Sequence, residues 1–196
     1  MDKLVINLTD DNIEEHIKKT KKLIRQCDKK NLELEFIYNN KKLTKKDINN
    51  PKLKDITTIM IAINKKDKYE RYEYIYDTVC SYLDERISEG YCEFIDDICI
   101  RDRNKNNGHK NGCCECKGRG KCQYLIDSKC TLGNCMACKL FTCKTLRKKG
   151  IIHRVDDYPL TKYFFTTKQK DILRFSYWTP REVVLDRLMT NTYVRP

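Results

Sequence analysis

Ten of the twelve cysteines in this chain fall between Cys92 and Cys143: Cys92, Cys99, Cys113, Cys114, Cys116, Cys122, Cys130, Cys135, Cys138 and Cys143. Cys27 and Cys80 stand apart from them in the sequence. Crowded thiols in a reducing compartment are metal ligands far more often than spare side chains. The rival chemistry, a disulfide framework, requires export. The opening Met1-Asp2-Lys3-Leu4-Val5-Ile6-Asn7 places an acid and an asparagine where a signal peptide needs an unbroken apolar run, so the expected location is cytoplasmic and the expected state is reduced.

Spacing narrows the choice of ligands. Cys135-Met-Ala-Cys138 puts two thiols on one turn, the arrangement that costs least chain entropy to bring to one ion. Cys138 and Cys143 flank Leu140-Phe141, so a turn entering a helix would aim several thiolates inward, and Cys92 and Cys99 bracket a segment that reads as a hairpin. His109, four residues before Cys113, is a candidate ligand or hydrogen-bond donor to one. Adjacent side chains diverge, so Cys113 and Cys114 serve two sites or one of them is structural. Cys116, between Glu115 and Lys117-Gly118-Arg119-Gly120, is left as a spare. The candidate ligands are therefore Cys92, Cys99, His109, Cys113, Cys114, Cys122, Cys130, Cys135, Cys138 and Cys143, enough for about two four-ligand sites. Zn²⁺ is the expected metal because thiolate-rich structural sites are its commonest use. An iron–sulfur cluster is the alternative, since Cys130-x₄-Cys135-x₂-Cys138 has a spacing found in [2Fe–2S] proteins.

Charge gathers on the same segment. The chain carries 40 Lys and Arg against 28 Asp and Glu, a net +12, and residues 111 to 154 alone hold ten basic and two acidic residues. Two tetrathiolate zinc sites, each of net −2, offset about half of that local +8. The remainder permits binding to nucleic acid, to a nucleoprotein or to an acidic protein surface. Lys117, Arg119, Lys121, Arg147, Lys148 and Lys149 are the candidate contacts, with Lys139 and Lys144 nearby. A membrane partner is not expected, because the longest apolar stretch is Ile59 to Ile63. Enzyme signatures such as G-x-x-x-x-G-K-[ST], G-x-G-x-x-G, H-E-x-x-H and G-x-S-x-G are absent, and His16 and His153 are isolated, so a binding module is expected rather than an enzyme. Lys, Ile, Asn and Tyr make up 73 of 196 residues, a bias towards A/T-rich codons that fits a low-GC bacterium or its phage, and with it a phage- or host-encoded regulator or inhibitor.

The elements that must position these groups form an α+β chain. Leu4–Leu8 reads as a strand, and Ile13, Ile17, Ile24 and Cys27 recur at helical spacing. Leu32, Leu34 and Phe36 alternate with glutamates as a half-buried strand, Asn39-Asn40 is a turn, and the β-branched run Thr57–Ile63 suggests an inner strand. That order resembles a ubiquitin-like roll and gives a small α/β domain over 1–66. Residues 67–196 are expected to form a mainly helical, metal-stapled cysteine-rich domain. Tyr72, Ile75, Tyr76, Val79, Leu83 and Ile87 mark one face of a helix from about Tyr69 to Glu89 closed by Gly90, and an aromatic stripe at this spacing is read as core rather than as a stacking platform for bases. Cys138–Lys149 reads as one helix stopped by Gly150. Thr166 with Gln169, and Thr179 with Glu182 around Pro180, read as capping boxes opening two more helices. No internal repeat is evident at this level.

His109-Lys-Asn-Gly-Cys113-Cys114, Cys122-Gln-Tyr-Leu with Cys130, and Cys138-Lys-Leu-Phe-Thr-Cys143 resemble cysteine-cluster proteins of clostridia and their relatives, and more distantly the YkgJ-like family, described as zinc- or iron-chelating. The resemblance covers about Tyr72 to Leu188 and implies metal binding. It implies no particular reaction, and Cys116 falls outside its pattern.

Overall fold

The computed structural model describes residues 2–87, the strand residues 94–95, 98–99, 125–126 and 129–130, and residues 135–142 and 144–192. The architecture is α+β. Strand β1 (Lys3–Leu8) leads through helices α1 (Ile13–Lys18) and α2 (Thr20–Lys30) to β2 (Glu33–Tyr38), which lies parallel to β1 from the pair Lys3 with Glu33 to the pair Leu8 with Tyr38. β3 (Lys41–Lys42) closes back on β2 in antiparallel fashion. As expected, Leu34 and Phe36 are buried while the alternating Glu33 and Glu35 are not. The turn residues Asn39 and Asn40 both have positive φ, at 50° and 60°, as a two-residue turn matched to the strand twist requires. Asparagine also takes the left-handed position that ends α2, at Asn31, the role glycine fills in most chains.

The run Thr57–Ile63 is not a strand. It lies inside helix α3 (Lys54–Asn64), and the ubiquitin-like order fails with it, since β1 and β2 are parallel and a fourth strand in this region is replaced by a helix. The physical reason is periodicity. Ile56, Ile59, Met60 and Ile63 recur at helical spacing and are all buried, and Thr57, Thr58 and Ala62 are buried between them, so the helix is covered almost all round. Burial on every side outweighs the strand preference of β-branched residues. The edge of β2 where another strand would pair is instead met by one side chain. Asn64 accepts from the Leu34 amide (2.7 Å) and donates to the Leu34 carbonyl (2.8 Å), reproducing a strand partner with a single carboxamide.

The polar stretch Asn64–Lys68, expected to divide the chain, falls between α3 and α4 (Lys68–Ile87). The buried apolar residues on its two sides form one cluster, which runs from β2 and α3 through α4 to α7 (Pro159–Phe164), α8 (Thr167–Phe175) and α9 (Arg181–Thr190). Arg71 closes the junction. Its guanidinium pairs with both carboxylate oxygens of Asp28 (2.8 and 3.0 Å) and donates to the carbonyls of Lys65 and Ile63 at the end of α3. On α4 the expected stripe is buried from Tyr72 to Leu83, while Ile87's burial and Gly90 lie outside the described residues. α9 is tied to the other side of α4 by Arg181, which pairs with Asp77 and Glu73.

Of the two expected capping boxes, one forms. Thr166 and Gln169 exchange both bonds, and Gln169 Nε2 goes on to bridge Tyr72 and the Leu188 carbonyl. Thr179 instead donates its hydroxyl to the Tyr177 carbonyl, and Pro180 occupies the cap of α9. Cys138–Lys149 is likewise two short helices, α5 (Met136–Leu140) and α6 (Lys144–Lys148). Between them Phe141 is extended and 42% exposed, outside the core in which it was expected. The buried Thr142 replaces helical bonds there, donating to the Leu140 carbonyl and accepting from the His153 amide. Gly150 ends α6 at φ 77°, with the paired bonds of Ile151 to Leu146 and Gly150 to Arg147 that close a left-handed C-cap.

Removing the Asn64 carboxamide should leave the Leu34 amide and carbonyl unpartnered where they are partly buried. We expect Asn64→Ala to lower stability by about 1–3 kcal/mol in denaturant melts without changing the slope of the transition. A midpoint equal to that of the parent chain would show that water replaces the carboxamide at no cost.

Candidate thiolate centre

Helix α5 is short, and its position is fixed from outside. Met136 is fully buried against α4, and its amide donates to the hydroxyl of Tyr76 at 3.0 Å. Lys139, on the same turn, forms an ion pair with Asp84 further along α4. These contacts place Cys135, at the head of α5, in the interior at 1% exposure, with Cys138 one turn later only half-buried. The two sulfurs are 3.1 Å apart.

The loop between α8 and α9 completes the surroundings of Cys135. The backbone amides of Cys138, Thr179 and Trp178 are near enough to favour the charged form of its sulfur. In its thiol form Cys135 donates to the Cys138 sulfur at 3.1 Å or to the Ser176 carbonyl at 3.5 Å; ionised, it accepts from the Cys138 thiol. Trp178 sits at φ 53°, a left-handed conformation rare for a bulky residue. Successive amides near one point across such a reversal favour negative charge there. Because Thr179 is not spent on capping α9, its amide serves this purpose. The Cys138 thiol, followed by these amides, holds the Cys135 thiol down at about 6 against the opposing effect of burial.

A third thiol lies behind the pair. Cys80, one turn beyond Tyr76 on α4, is fully buried, and the charge of Cys135 reaches it. Burial pushes the Cys80 thiol well above the ordinary range, and burial together with the neighbouring sulfurs does the same to the Tyr76 hydroxyl. In the sequence Cys80 stands apart from the Cys92–Cys143 cluster, and Tyr76 belongs to a stripe that reads as core. The available signal was that Tyr76 and Cys80, four apart, continue one helical stripe.

Of the ten candidate ligands, the structure brings Cys135 and Cys138 together. Cys99 ends β5 (Ile98–Cys99), which pairs with β4 (Phe94–Ile95) in the expected hairpin, Phe94 opposite Cys99. Cys130 ends β7 (Lys129–Cys130), paired with β6 (Leu125–Ile126) with Leu125 opposite Cys130. The two hairpins, Phe94-Ile-Asp-Asp-Ile-Cys99 and Leu125-Ile-Asp-Ser-Lys-Cys130, have an Ile-Asp step and a closing Cys in common, a short internal similarity. Cys92, His109, Cys113, Cys114, Cys122 and Cys143 lie outside the described residues. Among the described residues no three His, Cys, Asp or Glu side chains gather closely enough to hold an ion. The pair nevertheless fits half of a four-ligand site. Two sulfurs about 2.3 Å from a tetrahedral zinc stand about 3.8 Å apart, so Cys135 and Cys138 need open by only about 0.7 Å.

Of the basic candidates, Arg147 and Lys148 lie in the last turn of α6 and Lys149 follows it, all three exposed. Arg147 is partly committed, donating through Nε to the Thr142 carbonyl. Its charge reaches Tyr177, which also senses both thiols of the pair. Lys117, Arg119 and Lys121 lie outside the described residues. No helix among the described residues is long and apolar enough to cross a membrane.

No family model, curated protein or solved structure matches this chain.

The depressed value at Cys135 fixes a pH window. Its folded-state value lies below that of an unfolded thiol, so the thiolate's contribution to stability is complete above about pH 9 and is lost as pH falls towards 6. In metal-free protein we expect one thiolate to titrate with a midpoint near 6 by ultraviolet absorbance, and Cys135→Ser to remove that step. A first thiolate appearing only above pH 8 would contradict this depression.

Proposed function

We propose that this chain is a metal–thiolate binding module, holding zinc at about two sites and presenting a basic face to nucleic acid or a nucleoprotein. The observation that carries the metal half is the buried Cys135 sulfur with a second thiol 3.1 Å away, backed by nearby amides that favour its charged form. Amides near a buried sulfur neutralise part of a thiolate's charge, and a thiolate is the form that ligates metal. Cys135 and Cys138 would supply two ligands, and the remaining candidates Cys92, Cys99, His109, Cys113, Cys114, Cys122, Cys130 and Cys143 would supply the others. When bound, zinc contributes coordination energy that staples a segment poor in large aliphatic residues.

A second reading is favoured by one observation. Cys130 closes a hairpin five residues before Cys135, which keeps the Cys130-x₄-Cys135-x₂-Cys138 spacing on adjoining elements and suits an iron–sulfur cluster. The polyanion half of the proposal rests on the +8 surplus between 111 and 154 and on the exposed end of α6. Nucleic acid is the partner that surplus suits best, with an acidic protein surface as the other outcome.

Elemental analysis of protein purified without chelator decides the metal. About two zinc ions in a colourless protein are expected; a brown protein with visible absorbance and iron with sulfide would establish the cluster reading, and absence of both metals would overturn the centre. For the basic face, Arg147, Lys148 and Lys149 should each contribute about 0.9 to the slope of log affinity against log salt if it contacts duplex phosphate. Charge reversal at the three positions should flatten that slope, and an unchanged slope would remove α6 from the interface.

A further inference from the structure

We propose that Cys135 and Cys138 form a reversible dithiol–disulfide pair that exchanges with anionic low-molecular-weight disulfides, and that closing the disulfide withdraws both sulfurs from the metal. The second part rests on the metal–thiolate reading; the first does not. Three observations point this way. The sulfurs are one helical turn apart and 3.1 Å from each other, about 1 Å from bonding distance and closer than two ligands of one tetrahedral ion. The pair is also asymmetric, with Cys138 half-exposed and Cys135 sealed at 1%. A disulfide arriving from solvent therefore meets Cys138, while Cys135 is sealed behind it against the Ser176 carbonyl at 3.5 Å. Finally, Tyr177 feels the charge of Arg147 as well as that of both sulfurs, and Lys148 and Lys149 follow Arg147 at the exposed end of α6. That surround attracts a disulfide bearing carboxylates, such as glutathione disulfide, and repels a cationic one.

The steps balance as ordinary exchange. Cys138 gives its proton to the neighbouring Cys135 sulfur and attacks one sulfur of the small disulfide, forming a mixed disulfide and expelling one thiolate, which takes a proton from water. Cys135 then loses that proton to water and attacks the Cys138 sulfur along the 3.1 Å approach. The second small thiolate leaves and is protonated in turn. Two electrons pass from the protein to the small disulfide, and one disulfide and two thiols result. Cys80 takes no part, because it is fully buried.

The test uses the full chain, reduced and freed of metal, with glutathione disulfide, hydroxyethyl disulfide and cystamine as anionic, neutral and cationic probes. Products are trapped by alkylation and mapped by mass spectrometry. The expected product joins Cys135 to Cys138. Cys135→Ser should stop the reaction at a mixed disulfide on Cys138, and Cys138→Ser should abolish both species at this site, with circular dichroism confirming that each variant remains folded. Glutathione disulfide should react at least about tenfold faster than cystamine at low salt, and charge reversal at Arg147, Lys148 and Lys149 should collapse that ratio. A pair that stays reduced while other cysteines are modified would overturn the inference, as would rates independent of probe charge. In protein reloaded with zinc, oxidation should release metal in step with the disulfide. Protein that binds zinc but never closes the pair would sink the exchange and leave the metal reading standing. A pair that closes in protein that never binds metal would do the reverse.

Discussion

The hydrogen bond from the Met136 amide to the Tyr76 hydroxyl is the joint on which the described structure turns. Helix α4 is the central member of the fold, packed against α3, α5, α7 and α9. The short helix that carries Cys135 and Cys138 could not hold a position by its own hydrogen bonds, since five residues are too few for an isolated helix to persist in water. It is held because Met136 is buried on α4 and its amide, one of those a helix start leaves unpaired, finds a phenol at the right depth. The tyrosine stripe thus has two uses, apolar bulk for the core and a hydroxyl that sets a distant cysteine pair in register with the α8–α9 loop.

That loop shows how one local choice propagates. Because Pro180 opens α9 and the Thr179 hydroxyl turns back to Tyr177, the Thr179 amide is left to favour a charged Cys135 sulfur. Trp178 takes a left-handed backbone in the same loop, whose Ser176 carbonyl lies 3.5 Å from the Cys135 sulfur. The same elements are anchored from below by Gln169, which links α8 to Tyr72 of α4 and to the last turn of α9.

Much of the frame was legible in the sequence, for reasons that are local. Alternation marked Leu34 and Phe36, two asparagines marked a turn that needs positive φ twice, Thr166 with Gln169 marked a helix start, and Gly150 marked a stop. Each is decided within four or five residues. The errors share a different cause. Thr57–Ile63 was read by residue type as a strand, although its isoleucines and methionine keep helical spacing; burial on all sides hid the amphipathic pattern that separates the two. The single helix expected from Cys138 to Lys149 breaks at Thr142, whose side-chain bonds reach His153. Cys80 joined the thiol pair only through packing, and the left-handed Trp178 breaks the rule by which such positions are assigned to glycine or asparagine.

The carboxamide of Asn64 has a consequence for how this protein behaves in a crowd of its own copies. A three-stranded sheet has two borders at which a foreign strand can add. Beside Leu34 one border is already answered by Asn64, and further along β2 it is covered by β3. The other border belongs to β1, where Val5 is 49% exposed. Lys3 lies at its start and pairs with Glu35 of the neighbouring strand, leaving a charged side chain at the mouth of the open border. Lysine on an edge strand discourages intermolecular sheet growth. Strand addition is thereby left to β1 and to the two-residue β3, whose Lys41 and Lys42 are both exposed, and lysine guards each of these edges.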